Sequence, residues 1–268
     1  MVHARGAGAS RGLWAVVGVV LFAVVVLTVY VMVTGGEDQE DKTPARGGAG
    51  SSASPAASAS PSESSYAPPD DWTEPARWVS LPRGRRTDEH GNVVGFPHTV
   101  EGGVAMAAAA NTTRIEGETS SVDEQMRLYS SYLAQSDRTP EGREYTKKIA
   151  AKLDRQLEKD SGAPSGGPLP AGAYMRNHVI GYKIIESSDD EIALWVLARA
   201  TQKNGELAKE SGSYTRTVIG IRWEDGDWKL SAEVTARAMS KSPAKPKIVA
   251  PGDEAFNQAG YTAIREAS

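Results

Sequence analysis

One stretch near the start constrains this chain more than any other: LWAVVGVVLFAVVVLTVYVMV, at positions 13–33, carries no charge over about 21 residues. As a helix rising 1.5 Å per residue it matches a hydrocarbon core of about 30 Å. Trp14 and Tyr30 fall near its ends, where aromatic rings favour the headgroup level, and Thr34, Gly35 and Gly36 break the run. Arg5 and Arg11 precede it without an acid, whereas Glu37, Asp38, Glu40 and Asp41 follow it. The positive-inside bias therefore predicts a cytoplasmic segment 1–12, a transmembrane helix 13–33 and an extracytoplasmic remainder. A cleaved signal peptide needs a shorter apolar stretch ending in small residues, and Val31, Met32 and Val33 are bulky. The expectation is a single-pass protein of the cell membrane.

Positions 34–71 include GGAGSSASPAASASPSESSYAPP, whose small side chains have too little to bury to offset the entropy of ordering them. This reads as a disordered tether, leaving about one domain's worth of chain. A net charge of −4 over 268 residues argues against a nucleic-acid partner. The chain has no cysteine, which excludes disulfides, thiolate metal sites and a cysteine nucleophile.

Within the domain expected at 72–237, Trp78, Leu81 and Pro82 read as an apolar strap before the polar turn GRRTDEHGN. Arg83, Arg85 and Arg86 form a small basic cluster able to meet an acidic partner, although such a triplet is commonly a solvated loop. Thr99 is a candidate N-cap for a helix through VAMAAAA, whose small side chains permit close packing. Ser121 and Glu124 fit a capping box. A further helix starts at Thr139 and Pro140, with Tyr145, Ile149, Leu153 and Leu157 along one stripe. Four strands follow at about 175–186, 191–201, 213–223 and 228–235. The second is apolar on both faces and so should be central. In I-R-W-E-D-G-D-W-K-L, Asp225 and Gly226 suit a two-residue turn that sets Trp223 opposite Trp228 and Arg222 opposite Lys229, with water attending the like charges. Positions 238–268 read as a tail with a short helix around Phe256, packing back by default.

Helices followed by an antiparallel meander define an α+β class, with helices on a curved four-stranded antiparallel sheet. The series H-V-I-G-Y-K-I-I-E, then the two-sided apolar strand, then Y-T-R-T-V-I-G-I-R-W-E-D-G-D-W-K-L resembles the cone fold named after nuclear transport factor 2. With W-V-S-L-P and G-F-P-H-T-V-E-G-G-V-A-M-A-A-A-A upstream, and a membrane helix and linker in front, the chain is similar to membrane-anchored scaffold subunits of Gram-positive conjugation and type IV secretion systems. The resemblance covers about 72–237 and implies an assembly role beside the membrane, through other subunits or self-association. Enzymes of that fold carry an acidic or histidine base in the pocket between helices and sheet, where this chain reads apolar.

The residues themselves carry no catalytic constellation, cofactor fingerprint or metal set. His3, His90, His98 and His178 are dispersed without metal-ligand spacing. His178 could act as an acid–base group, but a lone strand histidine is more often structural. Asp189, Asp190 and Glu191 read as a solvated hairpin end. The sequon at Asn111 reads as chance. The expected function is a non-enzymatic, membrane-anchored scaffold; the alternative is a ligand-binding or sensory module using the pocket of the cone.

Overall fold

A computed structural model describes residues 71–265. Its centre is a seven-stranded sheet in the order β1-β9-β5-β6-β7-β8, with β4 also paired to β5. Three long strands, β5 (Ala173–Ser187), β6 (Glu191–Asn204) and β7 (Ser211–Glu224), form its body. The short β8 (Asp227–Leu230) extends it on one side. On the other side β5 takes β4 (Thr113–Glu116) near one end and β9 (Thr262–Arg265) further along. β1 (Trp78–Ser80) joins β9 in parallel, so the sheet is mixed. A separate hairpin pairs β2 (Arg86–Thr87) with β3 (Val93–Val94).

This α+β arrangement corrects the expected four-stranded antiparallel sheet. The strand expected to reach 235 stops at Leu230, because Ser231 turns its hydroxyl to the Val234 N–H and caps helix α4 (Ala232–Ser240). The added strands are two to four residues long, too brief to show alternation, and β1 and β9 find their partners across almost the whole domain. The single-pass anchor is also corrected: among the described residues no helix is long and apolar enough to cross a membrane. Positions 13–33, on which the membrane location rested, lie outside the described residues, as does nearly all of the tether.

Helix α1 (Val100–Ala110) is capped by the Thr99 hydroxyl, and Gly102 and Gly103 let it approach closely. A Cβ on Gly103 would lie 2.7 Å from the terminal methyls of Ile192 and Ile221. The small-residue run thus serves contact with the sheet, and Met106 and Ala107 are fully buried. Helix α2 (Ser121–Tyr132) begins where expected, but its capping box lies one residue earlier, joining Ser120 to Asp123. Glu124 instead accepts the Arg114 N–H and pairs with Arg127. Helix α3 (Pro140–Ser161) opens on Thr139 and closes at left-handed Gly162. Its stripe buries Ile149, Leu153 and Leu157, while Tyr145 is exposed.

Strand β6 is buried on both faces from Ile192 to Ala198, as a central strand should be. One face, with Ile192, Leu194, Val196 and Ala198, packs with α1 and α2. The other, with Ala193, Trp195 and Leu197, is covered by the C-terminal part of the chain: Val234 and Ala238 of α4, Val249, Phe256 of helix α5 (Glu254–Ala259), and Tyr261. The segment beyond 238 therefore packs back and supplies half of a core.

Candidate functional site

The β7–β8 hairpin has the expected register, with Asp225 and Gly226 at positive φ and Trp223 opposite Trp228. Trp228 is buried and donates its indole N–H to the Pro97 carbonyl at 2.9 Å. Arg222 and Lys229 are opposite one another, and each charge has an acidic partner. Arg222 pairs with Glu233 at 2.8 Å and Glu191 at 3.6 Å, while Lys229 donates to the Ser131 carbonyl at 2.9 Å.

Asp227, the second acid of D-G-D, organises what lies beside this hairpin. Its buried carboxylate accepts the backbone N–H groups of Gly95 (2.9 Å) and Phe96 (3.1 Å) and lies 3.4 Å from the Lys229 ammonium. The β2–β3 hairpin is thereby tied to β8. It is tied to α2 as well: the Asn92 amide donates to the Arg127 carbonyl at 3.0 Å and the Ser131 hydroxyl at 2.7 Å, and the Tyr132 hydroxyl donates to Val93 O at 2.8 Å. Burial pushes the Tyr132 hydroxyl up to about 12. The Arg127 guanidinium bonds Asn92 Oδ1; burial opposes its charge, but the Glu124 carboxylate raises its pKa despite that.

Between this pinned hairpin and the start of α3 runs an open groove of about 1000 Å³. The hairpin contributes Arg86, Asp88 and His90; the α3 start contributes Arg138 and Arg143; Lys229 lies with them. The α3 end is also fixed, since the Tyr129 hydroxyl donates to Thr139 O at 2.9 Å. Of the groove's two acids, Asp88 is already engaged and Glu89 is exposed. Asp88 accepts the N–H groups of His90 (3.0 Å) and Asn92 (2.9 Å), and Glu89 faces His90 at 3.6 Å. Burial works against the Asp88 charge, yet hydrogen bonds from Ser131, Asn92 and His90 outweigh it and hold the carboxyl below its ordinary value. Arg86, Arg138 and Arg143 are exposed, and none forms an ion pair among the described residues. Only the Arg138 Nε–H is engaged, donating to Leu133 O at 2.8 Å. Three guanidiniums without a carboxylate, on preorganised supports, make an anion-accepting surface.

Two other concavities do less. A cavity of about 50 Å³ lies among Ala110, Asn111, Gln125, Leu128, Ile219 and Thr235. It suits a few water molecules, at about 10–15 Å³ each. A cleft of about 450 Å³ gathers Glu118, Asp123, Asp154 and Glu158. Three of those acids have structural work: Asp154 accepts the Ser121 and Val122 N–H groups, Asp123 closes the α2 capping box, and Glu158 accepts the Gly166 N–H.

Of the residues singled out in the sequence, Arg86 enters the groove, and Arg83 and Arg85 do not line it. His98 stacks on Trp223 at 4.0 Å and sets Nε2 3.0 Å from the Asp190 carboxylate, so the acidic turn is engaged rather than merely solvated. Glu191 pairs with Arg237 and Arg222. His178 lies opposite Arg199 on the sheet face away from Asn177. His3 lies outside the described residues. Asn111 of the sequon is buried and donates its amide to the Ala107 carbonyl at 2.7 Å. Among the described residues no three His, Asp or Glu side chains gather as a metal set.

No family model, curated protein or solved structure matches this chain. The resemblance to conjugation and type IV secretion subunits thus finds no counterpart, and nothing in the fold supports a role in conjugation or secretion.

Proposed function

We propose that this protein is a non-enzymatic docking module that takes part in assembly by accepting an acidic segment in the groove between the β2–β3 hairpin and α3. One observation carries the reading: Arg86, Arg138 and Arg143 converge on one open groove without carboxylate partners, while its Asp88 is held by the backbone N–H groups of its own hairpin. Leaving arginines unpaired on a protein of net charge −4 keeps a local positive field for a partner. The hairpin and the helix start are both tied down, so docking costs little reorganisation.

The ligand-binding alternative has less behind it. It calls for a pocket between helices and sheet, and the cavity there, of about 50 Å³, is far below the roughly 300–1,000 Å³ of small-molecule sites. The test is fluorescence anisotropy of a labelled hexaglutamate peptide with the full chain, at low and moderate salt. At roughly 0.5 kcal/mol for each exposed arginine–carboxylate contact, the R86Q/R138Q/R143Q variant should bind about tenfold more weakly. Raising the salt should weaken binding to the unaltered chain in the same direction. Equal binding by both chains, or none by either, would refute the reading.

A further inference from the structure

The groove needs an acidic occupant, and the chain itself carries a candidate. Positions 37–41, E-D-Q-E-D, hold four carboxylates in five residues, the densest acidic run in the sequence. The acids at 189–191 are ruled out as occupants because Asp190 and Glu191 are paired with His98, Arg222 and Arg237, and Asp189 gives its carbonyl to His98 in the same turn. About thirty residues separate Asp41 from the first described residue, a contour of up to about 100 Å, so reach does not limit docking.

Resting on the docking reading above, we infer that the groove's resting occupant is the acidic run 37–41 of the same chain, bound through Arg86, Arg138 and Arg143. Charge complementarity selects the run, and covalent connection selects the copy. A tethered segment acts at an effective concentration on the order of millimolar. A contact with an intrinsic Kd near ~100 µM is therefore occupied about ten to one within its own chain, before a second copy at micromolar concentration competes. An external acidic partner then meets a groove that is free only about a tenth of the time. Its apparent affinity is reduced by the same factor. The chain thereby sets a threshold: partners with few carboxylates are excluded, and partners with longer acidic stretches displace the tethered run.

Two measurements on the full chain test this. In the first, R143K keeps the charge and offers a primary amine in the groove, and a carbodiimide joins carboxylates to amines in contact. Isotopically labelled and unlabelled chains are mixed in equal amounts and the linked peptides read by mass spectrometry. The expected product joins positions 37–41 to residue 143 or Lys229 within one isotopic form, and it disappears in E37Q/D38N/E40Q/D41N. Links of mixed isotopic form would overturn the inference by making a second copy the occupant, and so would the absence of any link to the groove. In the second, hexaglutamate anisotropy compares the E37Q/D38N/E40Q/D41N chain with the unaltered one, and the neutralised chain should bind about tenfold more tightly. Equal, arginine-dependent binding by both chains would sink the tethered occupant and leave the docking module standing. Binding by neither chain would remove both.

Discussion

Replacing Gly220 with alanine tests how the sheet and α4 are joined. A Cβ at this position would lie 2.2 Å from the Thr235 nitrogen, 2.5 Å from the Val234 carbonyl carbon and 2.7 Å from the Val234 Cβ. Ordinary contact begins near 3.4 Å, so α4 must withdraw by about 1.2 Å, and two of the obstructing atoms are backbone. Withdrawal strains two hydrogen bonds made by Gly220 itself: its N–H to the Thr235 hydroxyl at 2.7 Å, and its carbonyl from the Ser231 N–H at 2.8 Å. Each contributes about 1 kcal/mol. Overpacking against the buried Val234 and Ala238 adds about 1–3 kcal/mol, for an expected loss of about 3–5 kcal/mol. Urea unfolding of the full chain, followed by tryptophan fluorescence, measures it. Gly212 on the same strand is the control: its nearest neighbour to an added Cβ is 3.7 Å away, so G212A should be neutral or slightly stabilising. If G220A stays within about 0.5 kcal/mol of G212A, the close approach of α4 to β7 is not what joins them.

The Tyr261 hydroxyl is buried without a hydrogen-bond partner among the described residues, so Y261F should stabilise by about 1 kcal/mol in the same urea assay; a loss of that size would mean the hydroxyl is held. Burial pushes both Tyr132 and Tyr261 from 10.0 up to about 12. Because the folded state favours the neutral hydroxyls, their stabilising effect is complete below pH 10 and is lost as pH rises toward 12. The loss is about 1.4 kcal/mol per tyrosine per pH unit, and Y132F and Y261F should each flatten the alkaline slope of stability; unchanged slopes would contradict the burial. D227A strips the Gly95 and Phe96 N–H groups of their acceptor, with an expected cost of about 3 kcal/mol and faster hydrogen exchange at both amides; unchanged exchange would show that the hairpin is held by other means.

Where local chemistry decides structure, the sequence was readable. Thr99 and the Thr139–Pro140 pair cap helices as expected, and Asp225 and Gly226 set the hairpin register. The two-sided apolar pattern of β6 marks the central strand. What escaped depends on remote partners. Ser231 ends a strand because Gly220 leaves room for α4 beside it, a fact of packing that its own neighbours do not encode. β9 is a strand only because β5 and β1 lie alongside it. The groove was half legible. Arg86 stood out within a basic triplet, but Arg138 and Arg143 lie some fifty positions away, where nothing local marks them as its companions. Asp227 read as one side of a turn, yet its carboxylate reaches Gly95 and Phe96, more than a hundred positions earlier in the chain.

The parallel contact of Trp78–Ser80 with the strand at Thr262–Arg265 gives the domain the connectivity of a nearly closed ring. The Arg77 guanidinium donates to the Gly260 carbonyl across 183 positions. During synthesis the first strand must wait, without its sheet neighbour, until the strand at Thr262–Arg265 has emerged, so a late segment of the domain fixes an early one. Closing so long a loop costs little more than closing one of half the length, about 0.6 kcal/mol per doubling, so the arrangement delays folding more than it weakens the fold. A domain whose two ends meet this way can be cut elsewhere. The β6–β7 turn, where Leu207 is fully exposed, is the place where a new pair of ends would disturb least.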